Sequence, residues 1–186
     1  MSKKAEAVDS AAMLHVQKSV TVRRPRAEVF QFWRRLENLP CFMYHLKSVE
    51  ASGTRSHWVA RAPAGGEVEW DAEIIAEREG ELLSWRSLEG SEIRNEGTVR
   101  FEDAPADRGT EVRVEISYDA PAGKAGALVA KLFGEEPSQQ ITDDLRRFKQ
   151  VMETGEVVLS DGSPEGAGEG ASKEQPAQPQ PVAVRS

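Results

Sequence analysis

The strongest pattern in this chain is an alternation of apolar and charged residues in EVEWDAEIIAE, residues 67–77. The residues in the apolar phase are Val68, Trp70, Ala72 and Ile74. A period of two with this contrast is typical of a β-strand that buries one face and exposes the other to water. The stretch GTEVRVEISYDA, residues 109–120, repeats the pattern. The sequence therefore predicts a sheet with one apolar face.

Shorter runs with a similar period predict the remaining strands. They are LHVQKSVTV at 14–22, HLKSVEA at 45–51, SHWVARA at 56–62, ELLSWRSL at 81–88 and SEIRNEGTVRFED at 91–103. The segments between most of these runs are short and contain glycine, as hairpin turns do. We expect a first strand followed by an antiparallel meander of about six strands.

A helical period follows the first strand, in PRAEVFQFWRRLENL at 25–39. The apolar residues at helical spacing are Val29, Phe30, Trp33 and Leu36. Pro25 suits the start of a helix, whereas Pro40 interrupts one. The sequence therefore predicts a short helix and then a second helical turn near Cys41–Tyr44.

A longer helix is predicted near the C-terminal end of the domain, in PSQQITDDLRRFKQVMETG at 137–155. Its apolar stripe consists of Ile141, Leu145, Phe148 and Met152, and Gly155 is a suitable stop. One sheet with one apolar face and one amphipathic helix bury each other best when the sheet curves around the helix. The predicted fold is α+β: a curved antiparallel sheet of about six or seven strands around a long C-terminal helix, with two short helices after the first strand.

Composition divides the chain of 186 residues into one domain with two polar ends. Residues 1–12 are small and polar, which predicts a flexible arm. Residues 13–155 form the predicted domain. Residues 156–186 are rich in Gly, Pro, Gln and Glu, and a chain with so little to bury is expected to be disordered.

Charge narrows the classes of partner. The formal net charge is −7 and the isoelectric point is about 5.2, so the surface repels phosphate backbones and nucleic acid is not an expected partner. The N-terminal segment lacks the apolar run of a signal peptide, and no stretch has the roughly 18–20 apolar residues of a membrane span. We expect a cytoplasmic protein without a transmembrane segment. Transient contact with a membrane surface is compatible with this expectation. The oligomeric state stays open.

The order of elements resembles the helix-grip fold of the SRPBCC superfamily, which includes START lipid-transfer domains and pollen-allergen-like ligand binders. The stretches that carry the resemblance are VFQFWRRLENLPCFMYHLKSVE, EVEWDAEIIAEREGELLSWRS and GTEVRVEISYDAPAGKAGALVAKLFGEEP. They are most similar to the bacterial polyketide cyclase/dehydrase-like group, allied to coenzyme-Q-binding START-like domains. The resemblance implies an apolar cavity between the sheet and the C-terminal helix, but fold alone does not fix function.

Residues with reactive side chains do not form a recognisable catalytic or metal-binding motif. Cys41 and His45 lie four positions apart, but Pro40 makes a helical contact between them doubtful, and a cysteine here is more often a buried apolar residue. The histidines match no compact ligand spacing, and the acidic residues of 67–73 are typical of a solvent face. We predict no catalytic residue, no metal and no cofactor.

The candidate residues for lining a ligand cavity are mostly aromatic or apolar. They are Trp33, Phe42, Met43, Trp58, Trp70, Trp85, Asn95, Val99, Tyr118, Leu128, Leu132 and Phe148. An aromatic wall with a few polar groups is typical of a site for an apolar small molecule. For Phe42 and Met43 a plain core role is favoured over a cavity wall. Asn95, inward beside Gly97, fits a ligand hydrogen bond and a strand irregularity equally well.

Three functional hypotheses remain. The favoured one is binding, with transport or sequestration, of a lipid, isoprenoid quinone or polyketide in the cavity. The second is an aromatase/cyclase-type enzyme that works through cavity shape and inward polar groups such as Asn95, Tyr118 or an inward Arg86. The third is a packed domain without a cavity that serves protein interaction or stress response.

Overall fold

Seven strands form the sheet of the computed structural model, which describes residues 13–61, 65–91, 93–119 and 137–155. The strands are β1 (Met13–Val22), β2 (Leu46–Ser52), β3 (Arg55–Arg61), β4 (Glu67–Arg78), β5 (Leu82–Ser87), β6 (Asn95–Asp103) and β7 (Thr110–Asp119). Each pairs antiparallel with its neighbours in the order β1-β7-β6-β5-β4-β3-β2. The predicted first strand and the six-stranded meander are confirmed.

The helices after β1 differ from the prediction in one detail. Helix α1 spans Arg26–Arg34, and a 3₁₀-helix spans Leu36–Cys41. The second helical turn was predicted at Cys41–Tyr44, so it lies earlier in the chain and contains Pro40. A short 3₁₀-helix accommodates this proline because its hydrogen bonds run around it, from Asn38 N to Arg35 O and from Phe42 N to Leu39 O.

The C-terminal helix α2 (Pro137–Thr154) packs on the apolar face of the sheet. Its buried apolar residues are Ile141, Leu145, Phe148 and Met152, the stripe expected from the sequence. Two cations fix α2 beside β1: Lys149 Nζ donates to Thr21 O at 2.5 Å, and Arg24 Nε donates to Met152 O at 2.7 Å. The curved sheet with its C-terminal helix confirms the helix-grip α+β fold.

Two register shifts mark bends in the sheet. One lies between Ile74 and Ala76 in the β4–β5 pair, and the other lies between Leu46 and Ser48 in the β2–β3 pair. Such irregularities increase the twist and bend a strand locally. They therefore help the sheet to curve around α2.

Several predictions concern residues outside the described part of the chain. They are the flexible arm at 1–12, the disordered tail at 156–186, and the lining role of Leu128 and Leu132. Among the residues that are described, no helix is long and apolar enough to cross a bilayer.

Candidate functional site

A row of uncharged polar side chains crosses the apolar face of the sheet. In the strand register Tyr118 faces Asn95, and Ala72 faces both Ser87 and Ser56. Asn95 and Ser87 are joined by a hydrogen bond from Asn95 N to Ser87 Oγ at 3.1 Å. All of these residues are buried. A row of neutral hydrogen-bonding groups on an otherwise apolar surface is the arrangement expected of an apolar ligand site with polar anchor points.

Asn95 has an unused hydrogen-bonding group. The residue is 7 % exposed, and its Nδ2 has no hydrogen-bond partner among the described residues. Buried polar groups are nearly always paired, so an exception of this kind calls for a physical explanation. The backbone N–H of Asn95 is satisfied by Ser87, so the irregular start of β6 does not require the side-chain amide.

Tyr118, next to Asn95 on β7, supplies a neutral phenol. The residue is fully buried, and burial raises the pKa of its hydroxyl above the usual value. The hydroxyl therefore stays protonated at neutral pH, where it can donate or accept a hydrogen bond.

Aromatic rings flank the polar row on both sides. Trp85 lies across Gly97, where an added Cβ would be 2.2 Å from Cζ2 of the indole. Glycine at this position therefore makes room for the Trp85 ring. On the other side Trp58 and Trp70 are stacked with ring centroids 5.7 Å apart, and Trp58 Nε1 donates to Ser56 Oγ at 2.8 Å.

The other end of the apolar face is filled by rings that pack against one another. Trp33 lies 4.9 Å from Phe148 and 5.3 Å from Phe42 between ring centroids, and Phe42 lies 5.0 Å from Phe148. Phe101, near the opposite end of β6 from Asn95, joins this cluster through Trp33 at 6.3 Å and also contacts Phe30 at 5.4 Å. The rings form a solid aromatic core between α1, the 3₁₀-helix and α2.

A cleft opens beside the polar row where β5 ends and β6 begins. It has a volume of about 650 Å³. The lining residues are Glu73, Arg86, Ser87, Leu88, Glu89, Arg94, Asn95 and Glu96. Ser87 and Asn95 are the buried members of this set, whereas most of the others are exposed and charged. The cleft therefore links the water-facing surface to Asn95.

A half-buried cluster of charged and polar groups around the buried Asp144 connects α2 to the loop before β2. Arg147 donates from Nε to Phe42 O at 2.8 Å, pairs with Asp144, and lies 4.1 Å from the ring centroid of Tyr44. His45 Nδ1 lies 2.7 Å from Gln140 Nε2 and 3.8 Å from Asp144 Oδ2. The cluster fixes the position of α2 relative to the sheet.

The same burial acts in opposite directions on the acid and the base of this cluster. It raises the pKa of Asp144 to about 7, although the Arg147 guanidinium acts to lower it. It lowers the pKa of His45 to about 4, and the positive charge of Arg147 adds to the effect. A neutral His45 agrees with its geometry, because Nδ1 accepts a hydrogen bond from the Gln140 amide.

The predicted lining residues fall into two groups. Trp33, Phe42 and Phe148 belong to the aromatic core, and Val99 lies buried on the apolar face of β6. The group nearer the polar row consists of Trp58, Trp70, Trp85, Asn95 and Tyr118. Met43 is half-buried and packs against the core. A lining role in a ligand complex stays a prediction for both groups.

Other candidate residues lie away from the apolar face. Cys41 is exposed, unlike the buried cysteine favoured by the sequence. Arg86 points outward and pairs with Glu73 at 3.0 Å, so the alternative of an inward Arg86 is wrong. His57 is on the outer face and lies 2.9 Å from Asp71. Among the described residues, no three His, Cys, Asp or Glu side chains are grouped to hold a metal ion.

Sequence reasoning missed Asp144 and Arg147. Only the apolar residues of this helix were singled out from the sequence. A signal was present, because Asp144 lies three positions after Ile141 and four before Phe148, which places it on the buried stripe. An acidic residue on such a stripe requires a partner, and the arginine three positions later is suitably placed.

Comparisons with known proteins agree with this architecture. A crystal structure of a Deinococcus radiodurans protein is 42 % identical, with a TM-score of 0.62, and covers 76 % of this chain and 99 % of that chain. A 17.2 kDa Streptomyces lincolnensis protein is 28 % identical over 144 residues, covering 76 % of this chain and 91 % of the relative.

The Zhui aromatase/cyclase of a Streptomyces species has a TM-score of 0.58 at 15 % identity, and the match covers 79 % of this chain and 100 % of that chain. At this identity the likeness shows the shared fold alone. The model of the family described as polyketide cyclase/dehydrase and lipid transport matches residues 22–146, which is well over half of the chain. The chain therefore belongs to the polyketide cyclase/dehydrase and lipid transport family.

Proposed function

We propose that this protein binds an apolar small molecule between the apolar face of the sheet and helix α2, for transport or sequestration. The observation that carries the proposal is the neutral polar row beside aromatic walls, with a cleft of about 650 Å³ that leads to Asn95. Membership of a family described by cyclase/dehydrase and lipid transport supports a ligand of this class. A lipid, an isoprenoid quinone or a polyketide would each offer the required apolar body.

The ligand body would lie against the aromatic side chains and its polar group against the row. Burial of apolar surface contributes roughly 25 cal/mol per Å², so micromolar binding requires at least about 500 Å² of apolar contact once an association cost of about 4 kcal/mol is subtracted. Trp58, Trp70 and Trp85 would then report binding through their fluorescence, because a ligand in contact changes the surroundings of an indole.

Native mass spectrometry of freshly purified full-length protein tests the proposal, together with organic extraction of any bound molecule. We expect a co-purifying apolar compound, and after its removal we expect Nile red to bind with a rise in its fluorescence. A protein that carries no compound and also ignores Nile red would refute ligand binding. That result would favour the third hypothesis, a packed interaction domain, which the solid aromatic core around Phe148 supports.

An aromatase/cyclase-type enzyme is the second candidate function. Its supporting observation is the neutral phenol of Tyr118 beside the Asn95 amide, a pair that could hold a carbonyl group and transfer a proton. Incubation with a poly-β-ketone substrate mimic tests it. Cyclised product that disappears in the Tyr118→Phe variant would support the enzyme, and equal turnover in the variant would exclude this role for Tyr118.

A further inference from the structure

We propose that Asn95 is a specificity-determining residue that selects ligands with a neutral carbonyl oxygen and disfavours carboxylates. The inference rests on the proposed function, since it concerns the same site. Its first support is the buried Nδ2: Asn95 is 7 % exposed, and this nitrogen has no hydrogen-bond partner among the described residues. An unpaired buried amide lowers the stability of the folded protein, and a ligand that accepts the hydrogen bond removes this cost.

The second support is that no residue in the described part of the chain uses the Nδ2 donor of this amide. The backbone N–H of Asn95 donates to Ser87 Oγ at 3.1 Å, and its strand pairs regularly with β7 opposite Tyr118. A leucine has the same number and branching of side-chain heavy atoms and carries no polar group. The polar side chain is therefore explained better by recognition than by packing.

The third support is that the described residues beside the amide on the apolar face carry no charge. Its neighbours there are Tyr118, Ser87 and Gly97, which are uncharged, while Arg94 and Glu96 point outward. A carboxylate placed against these three neighbours would lose its hydration without gaining a cation from them, which is costly. A carbonyl oxygen has no charge to desolvate and can accept the hydrogen bond from Nδ2.

The shape beside Asn95 favours a flat group. The next inward position on β6 is Gly97, and the Trp85 indole occupies the space that a side chain would take. A planar, conjugated carbonyl compound can stack on or beside this ring while its oxygen reaches the amide. A ketone or quinone carbonyl on an apolar ring system is therefore the class of ligand that fits.

Three ring-matched probes separate the alternatives: a naphthoquinone, naphthalene and naphthoate. Binding to the full-length protein is followed by tryptophan quenching, in the wild type, in Asn95→Leu and in Ser84→Ala. Ser84 is a control because it lies on the opposite face of β5, hydrogen-bonded to Thr98 at 2.9 Å. We expect the wild type to prefer the quinone, and Asn95→Leu to weaken quinone binding about tenfold while leaving naphthalene binding unchanged.

A stability measurement separates recognition from a structural role. Because Asn95→Leu replaces an unpaired buried amide with an apolar group of the same branching, the ligand-free variant should unfold at a higher temperature than the wild type. A structural amide would instead make the variant less stable.

The inference is overturned if Asn95→Leu binds the quinone as tightly as the wild type, if naphthoate binds better than the quinone, or if the variant loses stability. Failure of the proposed function looks different, since then neither the three probes nor Nile red would bind the wild type at all.

Discussion

Replacing Arg147 with methionine keeps the aliphatic volume but removes the cation of the buried cluster on α2. The variant loses the hydrogen bond to Phe42 O at 2.8 Å, the pairing with Asp144, and the contact with the Tyr44 ring at 4.1 Å. A hydrogen bond from a charged group contributes about 1.5–3 kcal/mol, and a cation–π contact about 0.5–1 kcal/mol. We expect the free energy of unfolding to fall by about 2–4 kcal/mol when Asp144 is neutral.

The loss should grow above neutral pH. Burial raises the pKa of Asp144 to about 7, and the Arg147 guanidinium holds it below the value that burial alone would give. Without Arg147 this pKa rises, so the folded variant must keep a proton that the folded wild type releases. The extra cost is about 1.4 kcal/mol for each pH unit above the wild-type pKa, which makes the total about 3.5–5.5 kcal/mol at about pH 8.

Urea unfolding followed by tryptophan fluorescence, at about pH 6 and about pH 8, measures both effects if the denaturant slope stays the same. Arg146→Met is the matched control on the same helix. Arg146 has a side chain 74 % exposed and lies 3.5 Å from Asp143, and exposed pairs of this kind contribute less than about 1 kcal/mol. A loss below about 1 kcal/mol for Arg147→Met, or a loss that is the same at both pH values, would refute the reasoning.

Three further predictions concern pH, packing and reactivity. The pKa of His45 is lowered to about 4, so the contribution of this residue to the free energy of unfolding increases as pH rises above that value. The pKa of Asp144 is raised to about 7, so the contribution of Asp144 decreases as pH rises toward 7. His45→Gln should therefore give an unfolding free energy that falls between about pH 4 and about pH 7, and a profile parallel to the wild type would contradict this. Gly97→Ala should cost about 1–3 kcal/mol because the new methyl meets Trp85, and a smaller residue at 85 should restore stability in urea unfolding. Exposed Cys41 should react with a thiol reagent in the native protein, and Cys41→Ser should leave Nile red binding unchanged; lost binding would implicate the thiol.

Much of the fold was predictable because it depends on local patterns. Val68, Trp70 and Ala72 alternate with acidic residues, and in the structure they are buried while Glu67, Glu69 and Asp71 are exposed. The period of a strand is fixed by backbone geometry, so such a pattern survives in any tertiary context. The 3₁₀-helix was placed too late because Pro40 was treated as a helix breaker, although a short 3₁₀-helix tolerates it.

The candidate site was only partly predictable. The inward phase of Asn95 and Tyr118 follows from strand alternation, but their contact across β6 and β7 depends on the register between two strands. The requirement for glycine at position 97 comes from the Trp85 ring, which lies across it from a different strand. His45 is distant in sequence from Asp144 and Arg147, and the burial of this cluster depends on where α2 meets the loop before β2.

By itself, the sequence determined which residues face the apolar side of the sheet, the order of its elements and the resemblance to a ligand-binding fold. These follow from periodicity, which each segment carries locally. The tertiary structure decided which inward residues meet: it separated the aromatic core around Trp33 from the neutral row around Asn95, and it left one amide donor without a protein partner in the described part of the chain. The reason is physical, since ring contacts and hydrogen bonds act over a few ångströms between segments far apart in sequence, and only the packed chain sets those distances.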